Sequence, residues 1–105
     1  MGIQNLNLLD QEALKVYLAG TISGIDNYRL NFAEGAATLR NNGHSVYNPA
    51  AANQEDRPLA KIMSHLLPQL CECEAIALLP GWRKSGGARV EYLLAIYLGL
   101  KIIRL

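Results

Sequence analysis

The sequence predicts an α/β domain in which helices cover both faces of a parallel sheet. Four short apolar segments alternate with three helical segments along the chain, and this alternation is typical of a parallel sheet. The four segments are mainly apolar and do not alternate with polar residues, as is typical of strands covered on both faces. Because crossovers between parallel strands are right-handed, we expect a doubly wound, Rossmann-like sheet of about four strands in the order 2-1-3-4.

The length and composition fit one such domain. The chain has 105 residues, half of them hydrophobic, which suffices for a packed core without disulfides or a metal. We interpret residues 1–12 as a short polar lead and residues 13–105 as the domain.

The first strand and helix are indicated by apolar patterning. Leu14–Ala19 is short and apolar, as a buried strand is. Tyr28–Asn42 has an apolar stripe at helical spacing. Asp26 or Asn27 can cap the start of this helix, and Gly43 ends it.

The middle of the chain contains a second strand and a second helix. His44–Tyr47 reads as a strand that Pro49 stops. Asp56 can cap a helix that begins at Arg57. Pro68 is expected to kink or end that helix, because proline lacks a backbone donor.

The last third of the chain completes the pattern. Glu74–Leu79 is the third strand, Gly87–Leu98 is a helix that Gly99 ends, and Leu100–Arg104 is the fourth strand. Doubly wound sheets bind ligands at the carboxyl ends of their strands, where the winding direction reverses. This switch point lies between strands 1 and 3, so residues 20–27 and 81–91 form the expected site.

Glu91 is the most informative residue of these loops. It is the only acid in an otherwise apolar helix, and a carboxylate buried there needs a partner. It is expected in the first turn, where the helix dipole favours a negative charge. The alternative is that Glu91 only stabilises the helix or pairs with Arg83 or Arg89.

The loop before Glu91 has the composition of an anion site. Gly86 and Gly87 allow backbone N–H groups to approach an anion, Ser85 adds a hydroxyl, and Arg89 adds charge. A solvated loop has a similar composition. Trp82 can stack on a base, although a lone aromatic more often covers a strand end.

The end of strand 1 would form the opposite wall. Tyr17 lies in the strand, Gly20 and Gly24 permit close backbone approach, and Thr21 and Ser23 offer hydroxyls. An ordinary strand-to-helix turn explains the same residues.

Charge and apolar patterning exclude several classes of partner. The formal net charge of +1 argues against a nucleic-acid polymer and gives no polybasic signal for a membrane. The apolar runs are too short for a membrane span, and no signal peptide is visible, so a cytoplasmic protein is expected. Cys71 and Cys73 lack metal-ligand spacing, and we expect neither a metal nor an organic cofactor.

Several sequence blocks resemble a known group of proteins. Val16 to Gly24, Asn48-Pro49, Cys73 to Trp82 and Ser85 to Glu91 look like a phage and prophage family of unknown function. That family is similar in turn to the nucleoside 2-deoxyribosyltransferases and the deoxynucleoside 5′-monophosphate N-glycosidases.

The resemblance implies roles for three residues. In those enzymes a tyrosine of strand 1 lies at the sugar and a glutamate of the last helix attacks the anomeric carbon. By position these are Tyr17 and Glu91. The glycosidases have a phosphate-holding serine six residues before the glutamate, where this chain has Ser85, which favours a nucleotide over a nucleoside.

One position departs from the enzymes. They carry an aspartate on the preceding helix, where this chain has Leu66 with His65 beside it. The resemblance therefore implies N-glycosidic hydrolysis or transfer on a (deoxy)nucleoside 5′-monophosphate, provided that His65 or another acid substitutes. The alternatives are a nucleotide-binding or sensing protein without turnover, and a structural module in which Glu91 only pairs with an arginine.

Self-association is also expected. The last helix has more apolar surface than one face of a small sheet can cover. The resembling enzymes are oligomers whose sites borrow residues from a neighbour, which points to a homodimer or a higher oligomer.

Overall fold

A computed structural model describes residues 12–22, 25–51 and 58–105 of the chain. Its centre is one four-stranded sheet in the order β2-β1-β3-β4, in which every neighbouring pair is parallel. The predicted α/β fold class and strand order are confirmed. The strands are β1 (Lys15–Ala19), β2 (Ser45–Tyr47), β3 (Ala75–Leu78) and β4 (Lys101–Arg104).

Three helices connect these strands. They are α1 (Tyr28–Asn41), α2 (Leu59–Cys71) and α3 (Gly86–Leu98), and two short 3-10 turns cover Pro49–Ala51 and Trp82–Lys84. Each element lies within one or two residues of its predicted bounds where those bounds are described. Asp56 and Arg57, the predicted start of the second helix, lie outside the described residues.

The alternation of side chains along β1 divides the core into two layers. Val16 and Leu18 point towards α1 and pack with Phe32. Tyr17 and Ala19 point to the other face of the sheet, where buried residues of α2 and α3 cover them. Both faces of β1 are thus buried, which explains its continuous apolar sequence.

Two details of the helix ends differ from expectation. Asn27 occupies the N-cap position of α1 but its side chain makes no capping hydrogen bond. Of the two effects expected of Pro68, an end of the helix does not occur, because α2 continues through the turn expected after the proline to Cys71. Gly43 does end α1 as predicted, in a left-handed conformation with φ of +93°, which glycine adopts without strain.

The connection from β3 to α3 positions the predicted site. Gly81 has a φ of +83° and turns the chain into the 3-10 segment. Ser85 then caps α3, since its Oγ accepts a hydrogen bond from the Ala88 N–H at 3.1 Å. This cap fixes the start of α3.

The described residues contain no helix that is both long enough and apolar enough to cross a membrane.

Candidate functional site

A buried pair of polar side chains lies between β1 and α3. The Tyr17 hydroxyl donates a hydrogen bond to Oε2 of Glu91 at 2.5 Å. Tyr17 has no exposed surface and Glu91 is only 5% exposed. No other described residue donates a hydrogen bond to the Glu91 carboxyl group, so Oε1 is its remaining oxygen for a ligand. The structure thus brings together the two residues predicted to be catalytic.

Helical spacing places Glu91 in the core. Ala88, Glu91 and Ala95 are the buried residues of α3, and they recur at the i, i+3, i+7 spacing of one helix face. The two alanines are small enough to let α3 approach the sheet. Because α3 begins at Gly86, Glu91 lies in its second turn and the first turn holds no acid, so the predicted first-turn position is wrong.

Burial controls the ionisation of both groups. Loss of solvent raises the pKa of Glu91 to about 7, and the hydrogen bond from Tyr17 opposes that rise. Burial, followed by the nearby Glu91, raises the pKa of Tyr17 well above its ordinary value. Tyr17 therefore remains a hydrogen-bond donor at physiological pH, while Glu91 changes charge near neutrality.

Neither arginine considered as a partner for Glu91 is paired with it in the described part of the chain. The Arg83 guanidinium lies over the Trp82 ring, 5.4 Å from its centroid. Arg89 is exposed, because two residues of helix rotate it to the side of α3 opposite Glu91. The described residue that holds Glu91 is an uncharged tyrosine.

Tyr47 belongs to this cluster, although the sequence analysis missed it. It is the partner of Tyr17 in the register of β1 and β2. The two rings are stacked with centroids 5.6 Å apart and planes 16° apart. Tyr47 thus fixes one side of the Tyr17 ring, and only the register of the two strands reveals this.

The residues at the start of α3 have unequal accessibility. Gly86 faces open space, whereas Gly87 lies near the Met63 sulfur of α2. Ser85 is half-buried, and its Oγ is already an acceptor for the Ala88 N–H. Its hydroxyl proton is still able to bind an anion, together with the amide groups at the helix start.

The loop after β1, which was predicted to form the opposite wall of the site, is described only in part. A β-carbon on Gly20 would lie 2.8 Å from Cδ1 of Leu79, so this glycine permits tight packing within the α1 layer. Thr21 donates a hydrogen bond through Oγ1 to the Gly81 carbonyl at 2.8 Å and so ties the loops after β1 and β3 together. Ser23 and Gly24, also predicted to contact a ligand, lie outside the described residues.

Trp82 lies on the same side of the sheet as Glu91. Its ring packs against Tyr92 of α3 with centroids 4.7 Å apart, and it is half-buried. This contact covers the end of β3 and leaves part of the indole accessible.

One protein family matches nearly the whole chain. The model of a domain of unknown function, DUF4406, matches residues 14–104, from the start of β1 to the end of β4. The chain belongs to the DUF4406 family. No curated protein matches the sequence.

The position at which the sequence analysis expected a departure, Leu66, is apolar in three dimensions as well. Leu66 is 4% exposed and packs in the same buried cluster as Tyr17 and Ala88. His65 is exposed on α2. Within the described part of the DUF4406 domain, α2 carries no carboxylate at all.

A separate groove lies on the α1 side of the sheet. Its volume is about 630 Å³, and α1 and the ends of β1, β3 and β4 line it. Thr21 and Gly81 reach this groove, but Glu91 and Tyr17 do not. The residues predicted to form one site are thus divided between two faces of the sheet. Thr21 lies at the groove on the α1 side, and the Glu91 carboxyl group lies on the α3 side.

Replacing Tyr17 tests the electrostatics of the pair. Tyr17→Phe removes the hydrogen bond that favours the charged form of Glu91, so we expect the pKa of Glu91 to rise above about 7. Titration of ¹³C-labelled glutamate side chains by NMR measures this shift. Tyr28→Phe is the matched control, because Tyr28 lies in α1 on the other side of the sheet. If the pKa of Glu91 were unchanged in Tyr17→Phe, the Tyr17 hydrogen bond would not be stabilising the Glu91 carboxylate.

Proposed function

We propose that this DUF4406 chain acts on the N-glycosidic bond of a (deoxy)nucleoside 5′-monophosphate, with Glu91 as the nucleophile. It would hydrolyse this bond or transfer the glycosyl group to a second base. The observation that carries the proposal is the buried Glu91 carboxyl group held at Oε2 by the Tyr17 hydroxyl. A carboxylate fixed in this way can be presented to the anomeric carbon of a sugar. The resemblance to N-glycosidases and deoxyribosyltransferases gives the substrate class.

The reaction needs an anion beside a sugar that becomes positively charged. As the C1′–N bond breaks, the base leaves with the bonding electron pair and takes up a proton from solvent, which the water of the second step returns. Oε1 of Glu91 then forms a bond to C1′, giving a glycosyl ester. Water cleaves the ester and restores the carboxylate, or a second base replaces water. The low dielectric around Glu91 strengthens its attraction for the sugar cation.

The ionisation of Glu91 suits this role near neutral pH. With a pKa of about 7, a large fraction of Glu91 is ionised at pH 7. Tyr17 stays protonated, so it carries no negative charge that would repel the carboxylate, and it can stabilise the carboxylate by donating a hydrogen bond. We therefore expect base release to increase as the pH rises through about 7.

The start of α3 supplies a place for the phosphate. Ser85 and the open space at Gly86 lie at the helix start, whereas the exposed Arg89 lies on the side of α3 opposite Glu91. Amide groups at a helix start favour an anion. This arrangement supports a 5′-monophosphate over an uncharged nucleoside.

Leu66 favours a second candidate function, which is nucleotide binding without turnover. A buried leucine cannot orient a sugar hydroxyl or deliver a proton to the leaving base. The exposed His65 does not reach into the cluster around Tyr17. In this case the residues around Glu91 and Ser85 would bind a nucleotide so that the protein senses or sequesters it.

Measurement of free base separates the two functions. Wild-type protein is incubated with deoxynucleosides, ribonucleosides and their 5′-monophosphates, and the products are separated by chromatography. Base release that is greater from the monophosphates is the expected result. Saturable calorimetric binding without release would establish the second function instead. Absence of both binding and release would overturn both proposals.

A further inference from the structure

Tyr17 lies between two neighbours in the sheet, on the face that carries Glu91. Strand register places Ile76 of β3 on one side of it and Tyr47 of β2 on the other. Residues in register on adjacent strands point to the same face, so these two side chains flank the Tyr17 ring. Ile76 has no exposed surface and belongs to a central strand. Tyr47 is half-buried and belongs to a strand of three residues at the edge of the sheet.

We propose that Tyr47 is a positioning residue of the candidate site, whose ring holds the Tyr17 hydroxyl against the Glu91 carboxyl group. Tyr47 acts through Tyr17 and takes no part in the chemistry itself. Its effect on turnover rests on the proposed function, whereas its effect on the hydrogen bond between Tyr17 and Glu91 does not. The inference makes β2, the shortest strand, part of what arranges the site.

The stacked contact restricts how the Tyr17 ring can move. The two ring centroids are 5.6 Å apart and the ring planes differ by 16°, which is close to the offset parallel geometry that aromatic pairs prefer. The Tyr17 hydroxyl lies at the far end of its ring, so a small tilt of the ring carries it away from Oε2 of Glu91. Contact between the ring faces of Tyr17 and Tyr47 opposes such a tilt.

The ring of Tyr47, and not its hydroxyl, makes this contact. Within the described residues, the Tyr47 hydroxyl takes part in no hydrogen bond. Phenylalanine at this position would keep a ring that can stack on Tyr17. Leucine would fill part of the volume but has no flat face. The two substitutions therefore separate positioning by the ring from any role of the phenol group.

Titration of Glu91 tests the positioning role without any turnover. Glutamate side chains labelled with ¹³C are followed by NMR in the wild type, Tyr47→Phe and Tyr47→Leu. We expect the pKa of Glu91 to stay at about 7 in Tyr47→Phe. It should rise in Tyr47→Leu, because a displaced Tyr17 hydroxyl no longer favours the charged carboxylate. Burial raises the pKa of Tyr17, Tyr47 and Cys73 in the same layer, so these groups do not titrate near neutral pH.

Base release provides a second measurement, which applies if Glu91 is the nucleophile. Tyr47→Leu is expected to lower kcat by about 10²-fold, since a small displacement of a positioned group has a cost of this size. KM should change little, because Tyr47 acts on Tyr17 and not on the substrate. The pH at which release is half-maximal should rise together with the pKa of Glu91. Tyr47→Phe should restore the wild-type kcat and pH profile.

Two further variants control for loss of a ring and for loss of folding. Tyr28→Leu is the matched control, because it removes a half-buried tyrosine ring from the α1 layer. Tyr47→Met takes the place of Tyr47→Leu if that variant does not fold, since methionine adapts to irregular space and has no rigid face. Circular dichroism and thermal unfolding check that each variant is folded.

The titrations decide whether Tyr47 positions the pair. An unchanged Glu91 pKa in the folded Tyr47→Leu or Tyr47→Met would overturn the proposal. An equal rise in Tyr47→Phe or in Tyr28→Leu would also overturn it, because the effect would then not come from the stacked ring. If the titrations are as expected but no protein releases base, the positioning role stands and the proposed turnover is wrong.

Discussion

Glu91→Gln is expected to abolish base release while leaving the fold intact. The amide carries no negative charge and cannot form the glycosyl ester, so we expect turnover to fall by about 10³-fold or more. Glutamine has nearly the volume of glutamate and keeps an oxygen that can accept the Tyr17 hydrogen bond. The loss should therefore come from chemistry. Chromatographic assay of free base, with circular dichroism of the same samples, measures both effects.

The control for this experiment is the same substitution at a surface position. Glu34 is exposed on α1, on the other side of the sheet, so Glu34→Gln is expected to retain full activity. Full activity in Glu91→Gln would end the proposal that this carboxylate is the nucleophile. Equal loss in both variants would do the same, because the loss would then not be specific to the site.

The fold was predictable because the apolar residues of the sequence indicate which faces of the strands and helices are buried. Four short apolar segments correspond to four parallel strands, of which β1 and β3 are buried along most of their length. The continuation of α2 past Pro68 was less accessible to sequence reasoning. Leu66 and Leu70, on either side of the proline, are both buried against the sheet. We infer that their packing outweighs the hydrogen bond that Pro68 cannot make.

The burial of Glu91 could be predicted more easily than its hydrogen-bond partner. A single acid in an apolar helix stands out in the sequence, but Arg83, Arg89 and Tyr17 were all plausible neighbours. Residue 89 is close in sequence yet lies about 200° away around the helix. Tyr17 is 74 residues distant and meets Glu91 only because α3 packs on the face of β1 that carries Tyr17.

Tyr47 shows a further limit of the sequence. Its contact with Tyr17 requires the exact pairing of β1 with β2, in which Tyr17 lies opposite Tyr47. A shift of one residue would place the two rings on opposite faces of the sheet. Apolar patterning alone does not set this register for strands that are covered on both faces.

The stability of the protein is expected to fall as the pH rises through the range in which Glu91 ionises. The pKa of Glu91 is about 7 in the folded chain, against an ordinary value of 4.5. Below about pH 4.5 both states hold the proton, so no stability is lost. Between about 4.5 and 7 the unfolded chain releases its proton first, and the free energy of unfolding decreases.

The expected size of this effect follows from the difference between the two pKa values. Glu91 is almost fully buried, and the difference corresponds to a loss of roughly 3 kcal/mol in the free energy of unfolding above about pH 7. Glu91→Gln has no group that titrates at this position. Its stability should therefore improve relative to the wild type as the pH rises, although its activity is lost.

The comparison of the two proteins isolates this one group. Burial also raises the pKa values of Tyr47 and Cys73, but both proteins contain these residues and their effects largely cancel in the difference. Urea unfolding of wild type and Glu91→Gln at pH values from 4 to 9 gives the difference curve. We expect it to shift in favour of Glu91→Gln by roughly 3 kcal/mol, most of it between about pH 4.5 and 7. A flat curve would mean that Glu91 keeps an ordinary pKa in the folded chain, and the carboxyl group would then be solvated instead of buried against Tyr17.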